Sequence, residues 1–348
     1  MVPAFFSKAM ILFNCDYSEG AHADILRRMA ETNMEQTAGY GEDPYCDQAR
    51  KLIAGLCGRT DLDIHFLIGG TQTNFTVIAA ALRPHQCVLC ADTGHINVHE
   101  SGAVEACGHK VSAIPSPDGK LTARQIEEAW HAHWDDETRE HMPQPRMVYI
   151  SQPTELGTIY SRKELQEISG VCRRRGLYLY MDGARLGYGL CDEDNDLDLP
   201  AIASLCDAFY IGGTKVGALF GEALVLRHEA LKEDFRYIAK QKGGRLAKGR
   251  LLGIQFLELF RDGLYFRLGA HADRLAVMLR DFCRSRGLAL PFSSGTNQQF
   301  VTMPDSVLEE LGRKYGFAYL RREDETHSTV RFCTSWATTQ AEVDALLD

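Results

Sequence analysis

Four groups of polar residues stand at the ends of apolar runs, where a folded chain can bring them to bear on a ligand. Ala208-Phe209-Tyr210-Ile211 runs into Gly212-Gly213-Thr214-Lys215. Lysine is rarely buried, and in a partly desolvated pocket its pKa falls, leaving a neutral amine that attacks a carbonyl to form a Schiff base. A solvated loop lysine is the plainer reading. A nucleotide phosphate loop fails on order, since it needs Gly-Lys-Ser/Thr, whereas Thr214 precedes Lys215 and Val216 follows it. The run Ile64–Ile68 leads to Gly69-Gly70-Thr71-Gln72-Thr73-Asn74. Glycines before a helix start offer free N–H groups and a favourable dipole to a phosphate, with Thr71 and Thr73 as added hydroxyl donors. A strand-to-helix turn capped by threonine fits the same residues, and the dinucleotide pattern G-x-G-x-x-G is not matched. After Cys87–Ala91 comes Asp92-Thr93-Gly94-His95, which sets an imidazole in a glycine turn, unlike His131 and His133 on a helix-like stretch. After Leu177–Met181 comes Asp182-Gly183-Ala184-Arg185. An aspartate that ends an apolar strand is costly to bury alone, and its partner is either Arg185 or a ligand cation.

The elements that must hold these groups read as an alternation. Strand-like runs are Ile64–Ile68, Cys87–Ala91, Val111–Ile114, Met147–Ile150, Leu177–Met181, Ala208–Ile211 and Ala223–Leu226, with helices between them at 72–82, 122–134 and 162–175. This predicts an α/β fold with a mainly parallel seven-stranded sheet flanked by helices, the last two runs forming a possible hairpin. Residues 1–22 read as an extended arm, 23–32 and 45–57 as helices, and 246–285 as one long helix. From about residue 288, short strands (Gln299–Thr302, Thr329–Thr334) and two helices suggest a smaller α+β unit. The expected division is an arm at 1–22, a large domain at 23–250 and a small domain at 251–348, joined by the long helix.

Composition bounds the partners. The 348 residues are 45% hydrophobic and 24% charged, as in ordinary globular proteins. A net charge of -9 argues against nucleic acid or an anionic membrane as partner. No apolar run approaches the ~20 residues of a membrane span, and Met1-Val2-Pro3-Ala4-Phe5-Phe6 lacks the charged leader of a signal peptide. Eleven cysteines scattered singly suit a reducing, cytoplasmic setting. Cys87-Val88-Leu89-Cys90 lies inside a strand-like run, where residues three apart face opposite ways, and reads as core and not as a metal site.

In such sheets ligands sit at the carboxyl ends of strands. One cofactor needs a phosphate cup, an aldehyde-capturing lysine, a carboxylate to keep a ring nitrogen protonated and a flat side chain against the ring. That cofactor is pyridoxal 5'-phosphate. Gly70 and Thr71, Lys215, Asp182 and His95 match the four roles, and no metal is called for.

The ordered set of motifs resembles the fold-type I pyridoxal-phosphate enzymes, and within them the threonine aldolase/β-eliminating lyase family. The motifs are Asp16-Tyr17-Ser18-Glu19-Gly20-Ala21-His22, Tyr40-Gly41-Glu42-Asp43-Pro44, Gly69 to Asn74, His95 with Glu100-Ser101-Gly102-Ala103, Met181 to Leu186, the Lys215 stretch and Val330-Arg331-Phe332. The resemblance implies that Lys215 anchors the cofactor, Asp182 pairs with the ring nitrogen, His95 stacks on the ring, and Gly70, Thr71 and Gln72 hold the phosphate. It implies that Arg185 and Arg331 grip the substrate carboxylate, with Arg185 also near the cofactor. Tyr40 and Lys248 would reach the site of a neighbouring subunit, making the active form a homodimer or homotetramer. Two positions depart from the family pattern. Glu155 stands where a histidine is common, and Cys15 stands where the arm usually has serine. Both touch substrate handling, so Cys15 is expected at the substrate. The implied reaction is retro-aldol cleavage of β-hydroxy-α-amino acids such as threonine to glycine and an aldehyde, with His95, or next Glu155, as base. The alternatives are another pyridoxal enzyme (β-eliminating lyase, desulfurase or aminotransferase) or a non-catalytic binding protein on the same fold.

Overall fold

The computed structural model describes residues 10–348; the first nine residues of the expected arm, with the Met1 to Phe6 stretch, lie outside the described residues. All seven apolar runs form strands of one sheet. Its order is Asp63–Leu67, Glu222–Leu226, Ala208–Gly212, Tyr178–Asp182, Gln144–Ser151, Gln86–Ala91 and Lys110–Ile114. The strands read as continuous apolar runs because both faces are covered. Val148, Ile150, Leu179, Met181, Phe209 and Ile211 face one core. Met147, Tyr149, Tyr180, Tyr210 and Leu224 face the other. The strands from Ala208 to Ile114 in this order pair in parallel. Glu222–Leu226 runs against both its neighbours and closes the anticipated hairpin with Ala208–Gly212. It therefore begins at the edge where the other strands end.

The three helices expected between the strands are Gly70–Ala81, Ala123–Trp134 and Arg162–Arg175, and shorter ones join them. The last opens on a Ser161/Glu164 capping box and closes on Gly176 at φ 64. The expected threonine cap is corrected: Gly69 holds the cap position, without a side-chain bond, and Gly70 is already helical. The single helix expected over 246–285 is two, Arg250–Phe260 and Leu264–Ser285. Asp262 (φ 54) and Gly263 (φ 70) are left-handed and cannot continue a right-handed helix.

The C-terminal part carries a three-stranded antiparallel sheet, Ala318–Arg322, His327–Cys333 and Gln298–Pro304, with helices Asp305–Leu311 and Gln340–Leu347. Ala318–Arg322 is an edge strand of mostly exposed residues and so left no apolar run to read. A third core, including Phe13, Leu275, Leu279, Val301, Val330 and Phe332, fills this part. The arm belongs with it, since Ile11–Leu12 pairs with Tyr315–Gly316. Leu268 and Ala272 of the long helix pack in the large core and Leu275 and Leu279 in the small one. We propose 23–250 and 251–348 as the two units, with this helix as their connection.

The turn after Asp182 leaves no room for a side chain. The Gly212 N–H donates to the Gly183 carbonyl at 2.9 Å, and a Cβ on Gly183 would stand 1.9 Å from the Tyr210 carbonyl oxygen. Gly183→Ala is expected to cost about 3 kcal/mol by overpacking. The exposed helical Gly55 has nothing within 4 Å of its would-be Cβ, so Gly55→Ala is expected to add about 0.5–1 kcal/mol. Urea midpoints check both; a Gly183→Ala protein unfolding at the wild-type midpoint would refute the packing account.

Candidate active site

Alternate residues of a strand share a face, so Asp182 lies on the same side as Tyr178 and Tyr180. Tyr149 and Tyr210 flank it on the adjoining strands. Asp182 is buried and accepts four hydrogen bonds. Oδ1 takes the Tyr210 hydroxyl at 2.5 Å and the Ala184 N–H at 2.9 Å. Oδ2 takes the Tyr149 hydroxyl at 2.6 Å and the Asn74 amide at 3.0 Å. Burial alone would raise the pKa of this carboxyl. The His95 charge and these hydrogen bonds outweigh burial and hold it below the usual value. The floor of the site is thus a fixed negative charge. Arg185 is not its partner. The guanidinium instead makes a two-pronged pair with Asp16, Nε to Oδ2 at 2.7 Å and Nη2 to Oδ1 at 3.0 Å. The Asn297 amide also donates to Asp16, at 2.9 Å.

His95 follows its strand after one turn and opens a short helix, His95–Val98. Its Nδ1 lies 2.7 Å from Glu100 Oε1, which also accepts from the Asn74 amide at 2.7 Å. Burial lowers the imidazole pKa, but the Glu100 hydrogen bond and the Asp182 charge more than reverse this, and the net shift is upward. Glu155 Oε1 accepts from the His95 N–H at 3.0 Å and the Ser151 hydroxyl at 2.7 Å, while Oε2 is buried without a partner. Burial pushes the Glu155 carboxyl up. Lys215 is half-buried, its Nζ 5.9 Å from the Tyr17 ring centroid, and burial followed by the Arg185 charge lowers its pKa.

Asp182, His95, Glu155, Arg185 and Lys215 line one cavity of about 300 Å³, together with Gly69, Gly70 and Thr71. The first N–H groups of the Gly70–Ala81 helix have no partner within the helix and suit a phosphate. A Cβ on Gly70 would come 3.1 Å from the Tyr210 hydroxyl, so the small residue keeps this end open. The Gln72 side chain is engaged elsewhere, accepting the Ile68 N–H at 3.3 Å and donating to the Lys242 carbonyl at 3.2 Å, so its backbone N–H is what it offers at the helix start. A cavity of about 710 Å³ adjoins, sharing Tyr17, His95, Glu155, Arg185 and Lys215 and extending to Arg331. Arg331 is held by the Gln298 side chain (3.0 Å) and the Asn14 carbonyl (3.1 Å).

Three expected residues are elsewhere. Cys15 lines neither cavity; its Sγ lies 3.1 Å from the Ser18 hydroxyl, and the chain turns so that Tyr17 lines both cavities and Asp16 is buried against Arg185. Tyr40, exposed and at φ 59, packs under the Lys240 ammonium (4.4 Å) beside a separate cavity. Lys248 is exposed and lines neither site cavity. Neither residue reaches the site of its own chain.

Other residues acquire a place only here: Asp16, Asn74, Glu100, Tyr149, Tyr210 and Glu222. For most the signal was faint, but Tyr178-Leu179-Tyr180-Met181-Asp182 does show a polar edge repeating every second residue. Glu222 is a buried carboxylate opening its strand and lining the cavity. It comes before its apolar run in the sequence, whereas Lys215, Asp182 and His95 come after theirs, because this strand runs backwards.

The Asp16 carboxyl is held down at about 2: burial opposes this, but the Arg185 charge, then that of Lys215, prevail. A lowered folded-state pKa stabilises above the unfolded value of 3.8 and is lost as the pH falls toward 2. Asp16→Asn is expected to cost about 3 kcal/mol at pH 7 by stranding the buried Arg185 charge. The difference from wild type is expected to shrink between pH 4 and pH 2, as read from urea midpoints. A gap independent of pH would show that the pair does not account for it.

Comparison with known proteins gives the family and the fold. Residues 15–306 match the beta-eliminating lyase family. The low specificity L-threonine aldolase of Pseudomonas sp. (strain NCIMB 10558) is 32% identical over 345 residues, covering 96% of this chain and 95% of that protein. The structure of Leishmania major threonine aldolase superposes with a TM-score of 0.94 at 45% identity, covering 97% of each chain. A double mutant of Thermus thermophilus aspartate aminotransferase, at 15% identity, shares the fold with a TM-score of 0.70 over 97% of this chain and 90% of its own. The chain therefore has the fold-type I architecture of pyridoxal-phosphate enzymes and belongs to the β-eliminating lyase family.

Proposed function

We propose that this protein is a pyridoxal-phosphate-dependent lyase that cleaves threonine and related β-hydroxy-α-amino acids to glycine and an aldehyde. The observation that carries the reading is that the Lys215 amine and the charged Asp182 carboxylate face one cavity that opens on a helix start. The donor set fits the cofactor. Gly70 and Thr71 would offer N–H groups to its phosphate, Asp182 would keep a proton on its ring nitrogen, and the lack of a side chain at Gly70 would leave room for it. When bound, the cofactor draws electrons from the bonds at the substrate Cα through its protonated ring.

The rest is done by this chain's own residues. Lys215, with its lowered pKa, supplies a neutral amine. Arg185 spends Nε and Nη2 on Asp16, which leaves Nη1 for a substrate carboxylate. Arg331 stands across the adjoining cavity as the second cationic group. His95 sits beside both cavities and takes the β-hydroxyl proton. Glu100 fixes its Nδ1 and leaves Nε2 to act. Glu155, in place of a histidine, presents a carboxyl that burial favours as neutral. That observation favours a second reading, β-elimination to a 2-oxo acid and ammonia (pyruvate where the substrate is serine), in which Glu155 protonates the leaving group.

The homo-oligomeric form is supported by Tyr40 and Lys248, which have no place in their own chain's site. A reducing, cytoplasmic setting is supported by eleven cysteines that are all free. Among the described residues no helix is long and apolar enough to cross a membrane.

Purified protein is expected to turn threonine into glycine and acetaldehyde; 2-oxobutanoate and ammonia from threonine, or pyruvate and ammonia from serine, would establish the second reading instead. Lys215→Ala is expected to lose both turnover and the lysine-linked cofactor absorbance, and an unchanged absorbance would remove Lys215 as anchor. His95→Asn should lower kcat about 10²–10⁴-fold, against less than about tenfold for Glu155→Gln. Because the His95 pKa is raised and a base must be unprotonated, kcat is expected to fall as the pH drops through a value above the usual 6.5.

A further inference from the structure

Glu222 is a buried carboxylate that the reaction as described does not use. It is 3% exposed, pairs across the sheet with Gly212, and stands where the reversed strand begins. Oε1 accepts from the Thr214 hydroxyl at 2.8 Å and Oε2 from the Gly213 N–H at 3.2 Å. Thr214 closes the turn by accepting the Gly221 N–H at 3.0 Å. The carboxylate is thus clamped to the two residues immediately before Lys215 and lines the same cavity as the amine. Neither of its hydrogen-bond partners carries a charge, and a buried charge without an opposite one is costly. The opposite charge that faces it is the Lys215 ammonium.

We propose that Glu222 is the proton partner of Lys215. The lysine sheds a proton to become a nucleophile: an N–H bond of the ammonium breaks, an O–H bond forms on the carboxylate, and the pair goes from two opposite charges to two neutral groups. The reverse transfer restores the ammonium. The proposal rests on Lys215 being the cofactor anchor. Because the hydrogen bonds of Glu222 go to Gly213 and Thr214 and not to the amine, the proton crosses by one water or by a swing of the lysine stem. Glu222 is accordingly a positioning residue.

The surroundings suit the exchange. Burial pushes the Glu222 carboxyl up to about 8, with Asp182 adding to the rise and Lys215 opposing it. Burial and then Arg185 lower the Lys215 pKa, while Asp16, Asp182 and Glu222 oppose this. His95, which feels the Lys215 charge, and Glu155 also line the cavity of the pair; Tyr180, Tyr210 and Tyr265 lie within reach of the Glu222 charge and stay neutral. The two proton affinities are drawn toward each other, which lets a single proton reside on either group.

The destination of the proton can be tested. If it stays within the pair, the fraction of neutral amine is independent of pH while the pair holds one proton. If it goes to solvent, that fraction changes about tenfold per pH unit below the lysine pKa. Full-length protein stripped of cofactor is mixed with pyridoxal, which has no phosphate to titrate, and the capture rate is followed by absorbance from pH 6.5 to 8.5. Wild type is expected to vary less than about threefold over this range, and Glu222→Gln to fall about tenfold per unit toward low pH. Thr214→Val, which keeps the carboxylate and breaks one hydrogen bond, is expected to stay as flat as wild type. A tenfold-per-unit slope in wild type overturns the proposal, even if Glu222→Gln does not fold. A flat Glu222→Gln profile, or a Thr214→Val profile as steep as that expected for Glu222→Gln, also overturns it. Lys215→Ala separates the two ideas: capture surviving in that variant would remove the anchor reading itself, not the role of Glu222.

Discussion

A permanent negative charge has to be kept inside a sheet edge covered on both faces, and the rest of the site depends on it. Taking a carboxylate out of water is unfavourable by several kcal/mol unless donors replace the lost solvent. Asp182 is given four donors, two of them tyrosine hydroxyls from the strands on either side. Those tyrosines are wholly buried aromatic bodies whose polar tips converge on one point. Asn74 extends the arrangement, because its amide also donates to Glu100, and Glu100 holds His95. The Asp182 carboxylate and the His95 imidazole are therefore fixed by one connected network, and a loss at Asn74 would be felt at both.

Close backbone approach is the second constraint. Gly183 and Gly212 lie against one another at the ends of adjacent strands, and a Cβ on either would meet backbone atoms. This draws the Asp182 turn and the Lys215 turn together on a single small cavity. The reversed strand then delivers a second carboxylate, Glu222, to the same edge. Of the acidic groups around Lys215, Asp16 is neutralised by Arg185, Asp182 is met by hydrogen-bond donors, and Glu222 is met, among the described residues, by the lysine as opposite charge. The electrostatic character of each is set by its partner and not by its residue type.

The arm and the small C-terminal unit complete the site from outside. The Phe13 N–H donates to the Gly316 carbonyl at 2.7 Å, and the Cys333 N–H donates to the Phe13 carbonyl at 2.7 Å. This sets Asp16 against Arg185 and Asn297, and Arg331 against the Asn14 carbonyl. The Arg185 and Arg331 cations are thereby held by segments distant in sequence, whereas Asp182 and Glu222 come from the large sheet.

What the sequence by itself determined was the periodic part. Seven apolar runs of strand length and three amphipathic helices required an α/β sheet, since burial patterns are local properties of the chain. Lys215, Asp182, His95 and the Gly69-Gly70 turn were legible because each comes directly after such a run, and strand ends of like direction share one edge. Breaks and detours were not legible. The left-handed pair Asp262 and Gly263 splits a helix that periodicity alone continues, and Cys15 turns away while Asp16 turns in. The partner of Arg185 was undecidable from sequence, because Asp182 is near in the chain and Asp16, 169 positions away, is near in space. Only the tertiary structure brought Tyr149, Tyr210 and Asn74 to Asp182, and only the reversal of one strand brought Glu222 to Lys215. Hydrogen bonds and charge pairs form between atoms a few ångströms apart, and that distance is set by the packing of elements and not by their order along the chain.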